Sequence, residues 1–326
     1  MSRPNVIIVG GAGFIGSHFT DALLADPDTE RVTLYDNFSS GQEWHYAHHG
    51  GDDRLAVVRG DANDLPALCA AMDGHDLVIH LASNPDIAAA MTNPAIDFDE
   101  GTLITHHVVE AMRRTGTARI AYASGSGVYG DVGQLEARED HGPLVPVSTY
   151  GASKLAGEAL ISAYAYMFDS QGFAFRFGNV VGRRQTHGVG FDFLRRLRED
   201  PMRLTVLGDG TQSKSYVPVT DVVRAVLGAV DAGLPEPFNA FNVATGDYIT
   251  VREIAELSLE VLDLDPQSVD VRYGTSNRGW KGDVPIVRLS TEKIRSLGWQ
   301  PSCGSREALR RAEVAMLEDL EAGLGV

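Results

Sequence analysis

Apolar and polar positions fall into short blocks along the first half of the chain. Apolar runs at Val6–Val9, Val32–Tyr35, Leu55–Val58, Leu77–Leu81, Arg119–Ala123 and Phe173–Phe177 carry no regular polar face. Such runs predict strands buried on both sides. Between them, Phe14–Ala25, Thr102–Arg114 and Tyr150–Ser170 read as helices. Strand–helix alternation predicts an α/β fold: a doubly wound, Rossmann parallel sheet with right-handed crossovers and helices on both faces.

After about Gly178 the rhythm changes, with more Gly and charge, and helices are expected to outnumber strands. Thr250-Val-Arg-Glu253 reads as a capping box that opens a helix to about Leu262. Ser305 reads as the cap of a last helix ending near Glu321–Gly323. The expected division is a dinucleotide domain over residues 1–178 and a smaller C-terminal α/β substrate lobe over 179–326, with interleaved boundaries.

Composition narrows the function classes. A chain of 326 residues, 44% hydrophobic and 22% charged, has the mix of one large or two modest globular domains. Its 44 acidic against 28 basic side chains give a net charge of −16. Phosphate-backbone binding needs clustered Lys and Arg, so a nucleic-acid partner is not expected. Two cysteines far apart, Cys69 and Cys303, fit a reducing compartment without a disulfide framework. No apolar run approaches the ~18 residues of a membrane span, so no membrane partner is expected. The chain enters the Asn5–Val9 run without the basic start of a signal peptide. A cytoplasmic enzyme is the expectation.

Candidate chemistry begins where the first strand meets Gly10-Gly-Ala-Gly13-Phe14-Ile15-Gly16. Three glycines at this spacing serve a tight turn, close approach of a pyrophosphate, and close helix–strand packing. The following helix offers its N-terminal amides to that anion. Asp36, twenty residues beyond Gly16 at the end of the second strand, is placed to grip a ribose diol and to repel a 2′-phosphate, favouring NAD over NADP. Asp61, ending the third strand, is either an adenine contact or a strand-end cap. In Tyr150-Gly-Ala-Ser-Lys154, Tyr150 and Lys154 share one helical face at i and i+4. A nearby ammonium favours the phenolate and makes the tyrosine a general base. His45 and His49, at i and i+4, offer a zinc spacing, but no third acid or Cys ligand stands near them in sequence, and no metal is expected.

With these motifs the chain resembles the extended short-chain dehydrogenase/reductase family, most closely its nucleotide-sugar 4-epimerases of the UDP-glucose 4-epimerase type. The resemblance runs through Gly10–Gly16, Asp36-Asn37, Asp61, His80-Leu-Ala82, Val128-Tyr-Gly130, Tyr150–Lys154, Phe175–Asn179, Gly208–Val217, Asp221 and Arg278–Asp283. It implies that Gly10, Gly13, Phe14, Ile15 and Gly16 lie along the NAD pyrophosphate. It places Asp36 and Asn37 at the adenosine ribose, Asp61 and Ala62 at adenine, and Leu81 and Ala82 along the dinucleotide. It implies that Lys154 also bonds the nicotinamide ribose, that Asn179 meets the substrate diphosphate, and that Lys214 stands where arginine is usual. Gly188–Phe193 are expected to line the nucleotide pocket.

Three departures accompany the resemblance. The family's Ser or Thr three residues before Val128 is Gly125 here; Ser124 and Ser126 flank it, and one of them is expected to replace it. The usual asparagine two residues before Glu100 is Phe98. Trp280 stands where an arginine is common, leaving Arg278 or Lys281 to meet the diphosphate.

The implied activity is an isomerase: NAD-dependent inversion at C4 of a UDP-sugar through a transient 4-keto sugar, with Tyr150 as base. UDP-glucose, UDP-N-acetylglucosamine and UDP-glucuronate are the candidate substrates. Arg183 and Arg184 follow Asn179 closely, and a guanidinium there suits a hexuronate carboxylate. A related 4,6-dehydratase or decarboxylase is the alternative, although the Asp-Glu that dehydratases carry before Val-Tyr-Gly is Ser126-Gly127 here. The resemblance also implies a homodimer built on the Tyr150 and Thr102–Arg114 helices, with Leu155, Leu160 and Ala163 in the interface.

Overall fold

A computed structural model of the chain describes residues 4–325. The chain forms two compact units. One contains residues 1–128, 148–176 and 223–241, and the other 129–147, 177–222 and 242–326.

The first unit is built on strands β1 (Asn5–Val9), β2 (Arg31–Asp36), β3 (Leu55–Arg59), β4 (Leu77–His80) and β5 (Arg119–Gly125), with helices α1 (Phe14–Ala25), α2 (Leu65–Met72) and α3 (Ile104–Thr115). After the short β6 (Glu136–Ala137) come α4 (Thr149–Met167) and β7 (Gln171–Phe177). The sheet has seven strands in the order β12-β7-β5-β4-β1-β2-β3, where β12 is Phe238–Val243. Parallel register pairs Val6 with Val32 on one side of β1 and with Leu77 on the other. This is the doubly wound order, in which ligands meet the carboxyl ends of the strands at the reversal between β1 and β4.

Burial follows the pleat. Ile7, Val9, Tyr35, Val78, Ile120 and Tyr122 join Leu68, Met72, Val108, Met112 and Ile161 in one cluster. The intervening Val6, Ile8, Leu34 and Ile79 are equally buried. Strands covered on both faces explain why these runs lack a polar side, except at the edge strand β3, where Ala56 and Val57 are exposed, contrary to the expectation. Two boundaries differ from the expectation. Residues Phe98–Leu103 form a π-turn ahead of α3, and α4 stops at Met167, where exposed Tyr166, Met167 and Phe168 end the apolar periodicity.

The second unit holds β8 (Asn179–Val181), α5 (Val189–Glu199), β9 (Arg203–Val206), β10 (Ser213–Lys214) and β11 (Tyr216–Pro218), from which α6 (Val219–Asp231) leads back to the first unit. It continues with β13 (Ile249–Thr250), α7 (Val251–Val261), β14 (Asp270–Tyr273), β15 (Arg288–Leu289), α8 (Glu292–Arg295) and α9 (Ser305–Glu321). Here strands outnumber helices, contrary to the expectation. They are two to four residues long and pair in twos, too short to print a period-2 pattern. Phe193, Leu194, Leu197, Ile254, Leu257, Leu309 and Met316, from α5, α7 and α9, form the core.

The Thr250–Glu253 capping box is present, with Glu253 N donating to Thr250 Oγ1 at 3.2 Å and Thr250 N to Glu253 Oε2 at 2.7 Å. Ser305 is not the cap of the last helix. Gly304 holds that position, and Ser305 is the first helical residue, fully buried. Its hydroxyl donates to Asp247 Oδ1 at 2.8 Å and accepts from Tyr216 N at 3.0 Å, so a buried network claims the side chain that a cap would use.

Candidate active site

The glycine loop closes tightly on its surroundings. Gly10 has φ +83°, and a Cβ there would stand 2.7 Å from the backbone N of Ala82. A Cβ on Gly16 would stand 2.5 Å from the Gly11 carbonyl oxygen. Both positions therefore admit only glycine. Gly13 is the N-cap of α1 and supplies no capping side chain, which leaves the first-turn amides to an external acceptor. Asp36 is buried; its Oδ2 accepts from Ala12 N at 2.9 Å and its Oδ1 from Phe38 N at 2.7 Å. The same carboxylate expected at a ribose thus braces the glycine loop.

Asn37 is exposed, Ala62 is buried, and the Asp61 side chain accepts from Asn63 N at 2.8 Å, closing its own turn. Leu81 and Ala82, half-buried, follow β4 beneath Gly10. Phe14 is buried and Ile15 half-buried in the first turn of α1. A loop without side chains, free helix amides and a buried carboxylate at the strand end fit a dinucleotide.

Helix α4 presents the pair expected to be catalytic. Ser148 caps it, accepting from Gly151 N at 3.1 Å, so Tyr150 lies in the first turn and Lys154 one turn on. Lys154 is buried, and its Nζ donates to the Ala123 carbonyl at 2.8 Å and lies 5.4 Å from the centre of the Tyr150 ring. Burial lowers the ammonium's pKa to about 8, an effect that Asp97 opposes. Burial raises the Tyr150 phenol to about 12; the nearby Ser83 hydroxyl lowers it, and the Asp97 charge raises it. The ammonium is engaged by a backbone carbonyl, and desolvation dominates. His80, beneath the pair, is pushed down to about 3 by burial and by Lys154, and stays neutral.

Asp97 and Ser83 escaped the sequence reading. Asp97 is a buried carboxylate that accepts from Asn84 Nδ2 at 2.9 Å and Thr149 Oγ1 at 2.6 Å. Only its burial marks it, and one acid among 44 Asp and Glu carries no sequence signal.

Around Gly125 the two serines differ. Ser124 is buried and its hydroxyl donates to Glu158 Oε1 at 2.5 Å. Glu158 in turn is held bidentately by Arg176, with 3.0 Å to Nε and 2.8 Å to Nη2, both side chains 5% exposed. Removing one partner of such a pair costs about 3–5 kcal/mol. Ser124 is thus committed to a structural network. Ser126 is half-buried, and a Cβ at Gly125 would meet no atom within 4 Å.

In the second unit the expected diphosphate cations converge. Lys214 Nζ donates to Asp283 Oδ1 at 2.7 Å, while Arg278 pairs with Asp131 and with the Asp283 carbonyl. Lys281 is exposed, which leaves Arg278 as the arginine of this cluster. Asn179 is half-buried beside Ser215, whose carbonyl accepts its backbone N–H at 2.9 Å. Gly188, with φ +100°, caps α5. Arg183 is paired with Glu318 and, at 2.9 Å, with Asp319; Arg184 is buried, and its backbone N donates to Asp319 Oδ2 at 2.9 Å.

The histidine cluster has an acid after all. His48 and His49 each place Nε2 2.8 Å from Asp21 Oδ1, whereas His45 is buried with its Nδ1 2.7 Å from the Ala12 carbonyl. Asp21 reaches the cluster from α1, far away in sequence. Both described cysteines, Cys69 and Cys303, are free, and no helix among the described residues is long and apolar enough to cross a membrane.

A glycine-cradled parallel sheet followed by a helix bearing Tyr and Lys at i and i+4 defines the extended short-chain dehydrogenase/reductase class. The model of the NAD dependent epimerase/dehydratase family matches residues 6–244, and the chain belongs to that family. It is 30% identical over 316 residues to a UDP-glucose 4-epimerase of Mycolicibacterium smegmatis, covering 94% of this chain and 96% of the other. Among solved structures it is similar to a UDP-galactose 4-epimerase (35% identity, TM-score 0.85, 97% and 99% covered). A dTDP-glucose 4,6-dehydratase, DesIV of Streptomyces venezuelae, was solved with NAD (26%, TM-score 0.88, 97% and 98%). MoeE5, in complex with UDP-glucuronic acid and NAD, is similar at 28% identity and TM-score 0.83, over 98% and 100%.

Proposed function

We propose that the chain is an NAD-dependent nucleotide-sugar 4-epimerase acting on a UDP-sugar. One observation carries this reading above the others in the family. Tyr150 and Lys154 stand ready on α4, while the positions before Val128 that would hold a dehydratase's second acid and base are Ser126 and Gly127. One base suffices for an epimerase, because the proton that leaves the 4-hydroxyl oxygen and the hydride that leaves C4 both return to the same atoms.

Bound NAD supplies a hydride acceptor that becomes the donor on the return. Asp36 would hold the adenosine ribose, with the amides of Gly13, Phe14 and Ile15 along the pyrophosphate. Tyr150 takes the 4-hydroxyl proton as the sugar becomes a 4-keto species and gives it back after the other face is presented. Lys154 keeps the phenolate charge company and holds the nicotinamide ribose. Asn179, Lys214 and Arg278 would hold the diphosphate. A firm grip there and a loose one on the hexose let the ring turn about its anchor.

A second reading names the sugar as a hexuronate. Arg184, buried on the loop after Asn179 with its backbone N on Asp319, is the guanidinium assigned to a carboxylate. MoeE5 was solved with UDP-glucuronic acid and with UDP-glucose, so that likeness admits either sugar. The proposed assembly is a homodimer on α3 and α4. Leu155 and Leu160 are half-buried and Ala163 is exposed, off the sheet-facing stripe of Lys154, Glu158 and Ile161.

The test is incubation of the NAD-loaded protein with UDP-glucose, UDP-N-acetylglucosamine and UDP-glucuronate separately, followed by proton NMR of the sugar. A C4-inverted product is expected from one of them. Loss of the C6 carboxylate or of water would replace the epimerase reading with the decarboxylase or dehydratase.

A further inference from the structure

We propose that Asp21, His48 and His49 form a binding site for a divalent metal ion of the zinc class, which fastens the segment after β2 to helix α1.

Three ligand atoms converge there from two segments. Asp21 lies on α1, while His48 and His49 belong to the short 3-10 turn Ala47–His49. Each histidine Nε2 stands 2.8 Å from Asp21 Oδ1, and the three atoms lie within 4.8 Å of one another. Neighbouring side chains on a 3-10 turn diverge by about 120°. The two rings nevertheless lie with their centres 4.1 Å apart. The carboxylate, and not the turn, gathers them. Tetrahedral ligands at zinc's usual distance stand about 3.3 Å apart, so each N···O gap has to open by only about 0.5 Å.

The donor set selects the ion. Two imidazoles and one carboxylate suit zinc, copper, nickel or cobalt, whereas calcium and magnesium take shells of oxygen. Coordination uses the Nε2 lone pair, so both rings carry their hydrogen on Nδ1 when the ion is bound. The side chains of His48, Asp21 and His49 are 49%, 35% and 20% exposed, which leaves a way in and room for water to complete the shell. Two other candidates nearby are engaged elsewhere. His45 is buried with its Nδ1 2.7 Å from the Ala12 carbonyl, and Asp52 is paired with Arg54 at 2.7 Å.

The segment that the ion holds also braces the glycine loop. Gln42 N donates to the Ala12 carbonyl at 3.0 Å, and His45 reaches the same oxygen. An ion on His48 and His49 ties the far end of that segment to the helix which the loop opens. Its ligands lie 27 and 28 residues apart in sequence and meet only in the folded chain, so the ion binds the folded state preferentially and stabilises it.

The experiment uses the full chain, stripped with a chelator and exchanged into chelator-free buffer. Zinc chloride is titrated by calorimetry, and cobalt chloride by visible absorbance. One zinc per chain is expected, with a cobalt d–d band that zinc bleaches. Zinc at a hundredfold excess over its dissociation constant is expected to raise Tm by about 5 °C. Asp21→Ala, His48→Ala and His49→Ala are each expected to weaken zinc binding at least ~100-fold, because even the outer partners of metal ligands are worth ~10–100-fold. Each should also abolish the cobalt band and the Tm rise. His106→Ala, at an exposed histidine of α3 outside the cluster, is expected to alter none of these. Circular dichroism checks that each variant is folded, and His48→Gln, at the most exposed ligand, replaces an alanine variant that is not. The absence of saturable zinc binding, or binding of undiminished strength in the folded Asp21 and histidine variants, overturns the inference. No readout needs a UDP-sugar, so the outcome is independent of the proposed function.

Discussion

Lys214 Nζ stands 2.7 Å from Asp283 Oδ1, and the same carboxylate accepts from Gly279 N at 3.0 Å. The cation proposed to meet a diphosphate is thus held in place by an internal anion. Lys214→Met is expected to raise KM for the UDP-sugar about 10–100-fold, the worth of a charge-assisted hydrogen bond. NAD affinity should stay as it is. Asp283→Asn works in the opposite direction, freeing the ammonium and lowering KM. Steady-state kinetics with calorimetric NAD titration check both, and equal changes in NAD and substrate affinity would refute the assignment.

Tyr150→Phe removes one oxygen and keeps the ring packed. Turnover is expected to fall about 10²–10⁴-fold, the usual share of general acid–base catalysis. Bound NAD, counted by absorbance after gel filtration, should be retained. A variant that still turns over at the original rate rules out the tyrosine as base.

Asp36→Ala takes away the brace on Ala12 N and Phe38 N together with the ribose acceptor. NAD affinity is expected to drop at least tenfold, about the loss of one hydrogen bond to a charged group. Fluorescence titration with NAD measures it, and an unaltered dissociation constant would remove Asp36 from the ribose.

Glu313 supplies a pH signature. Burial raises its carboxyl to about 8, although Ser258 donates to its Oε1 at 3.0 Å. The folded chain therefore keeps this proton up to about pH 8, whereas the unfolded chain releases it near the ordinary carboxyl value of 4.5. Between those values the folded state binds more protons, so rising pH erodes stability. Glu313→Gln abolishes this slope. The Tm difference, variant minus unaltered protein, should widen from about pH 5 to pH 8 and then level off. A constant gap would show that Glu313 is ionised when folded.

The parallel sheet was legible because its inner strands are buried on both faces and written as unbroken apolar runs, as at Val6–Val9. The glycine loop and the Tyr150–Lys154 pair were legible because each needs its residue types at a fixed spacing. The rest depends on distant partners. Ser305 looks like a cap in sequence, but Asp247 and Tyr216 claim it from elsewhere in the chain. Asp21 meets His48 and His49 across a gap that no local window spans. Asp97 is an unremarked aspartate until Asn84 and Thr149 are brought to it.

The chain passes from one compact unit to the other five times, at residues 128, 147, 176, 222 and 241. No single uninterrupted stretch of coding sequence therefore encodes either unit. Neither can be acquired, lost or exchanged by one recombination event. A chimera joined at residue 147, 176 or 222 would inherit two mixed cores, and one joined at 128 or 241 a single mixed core beside an intact one.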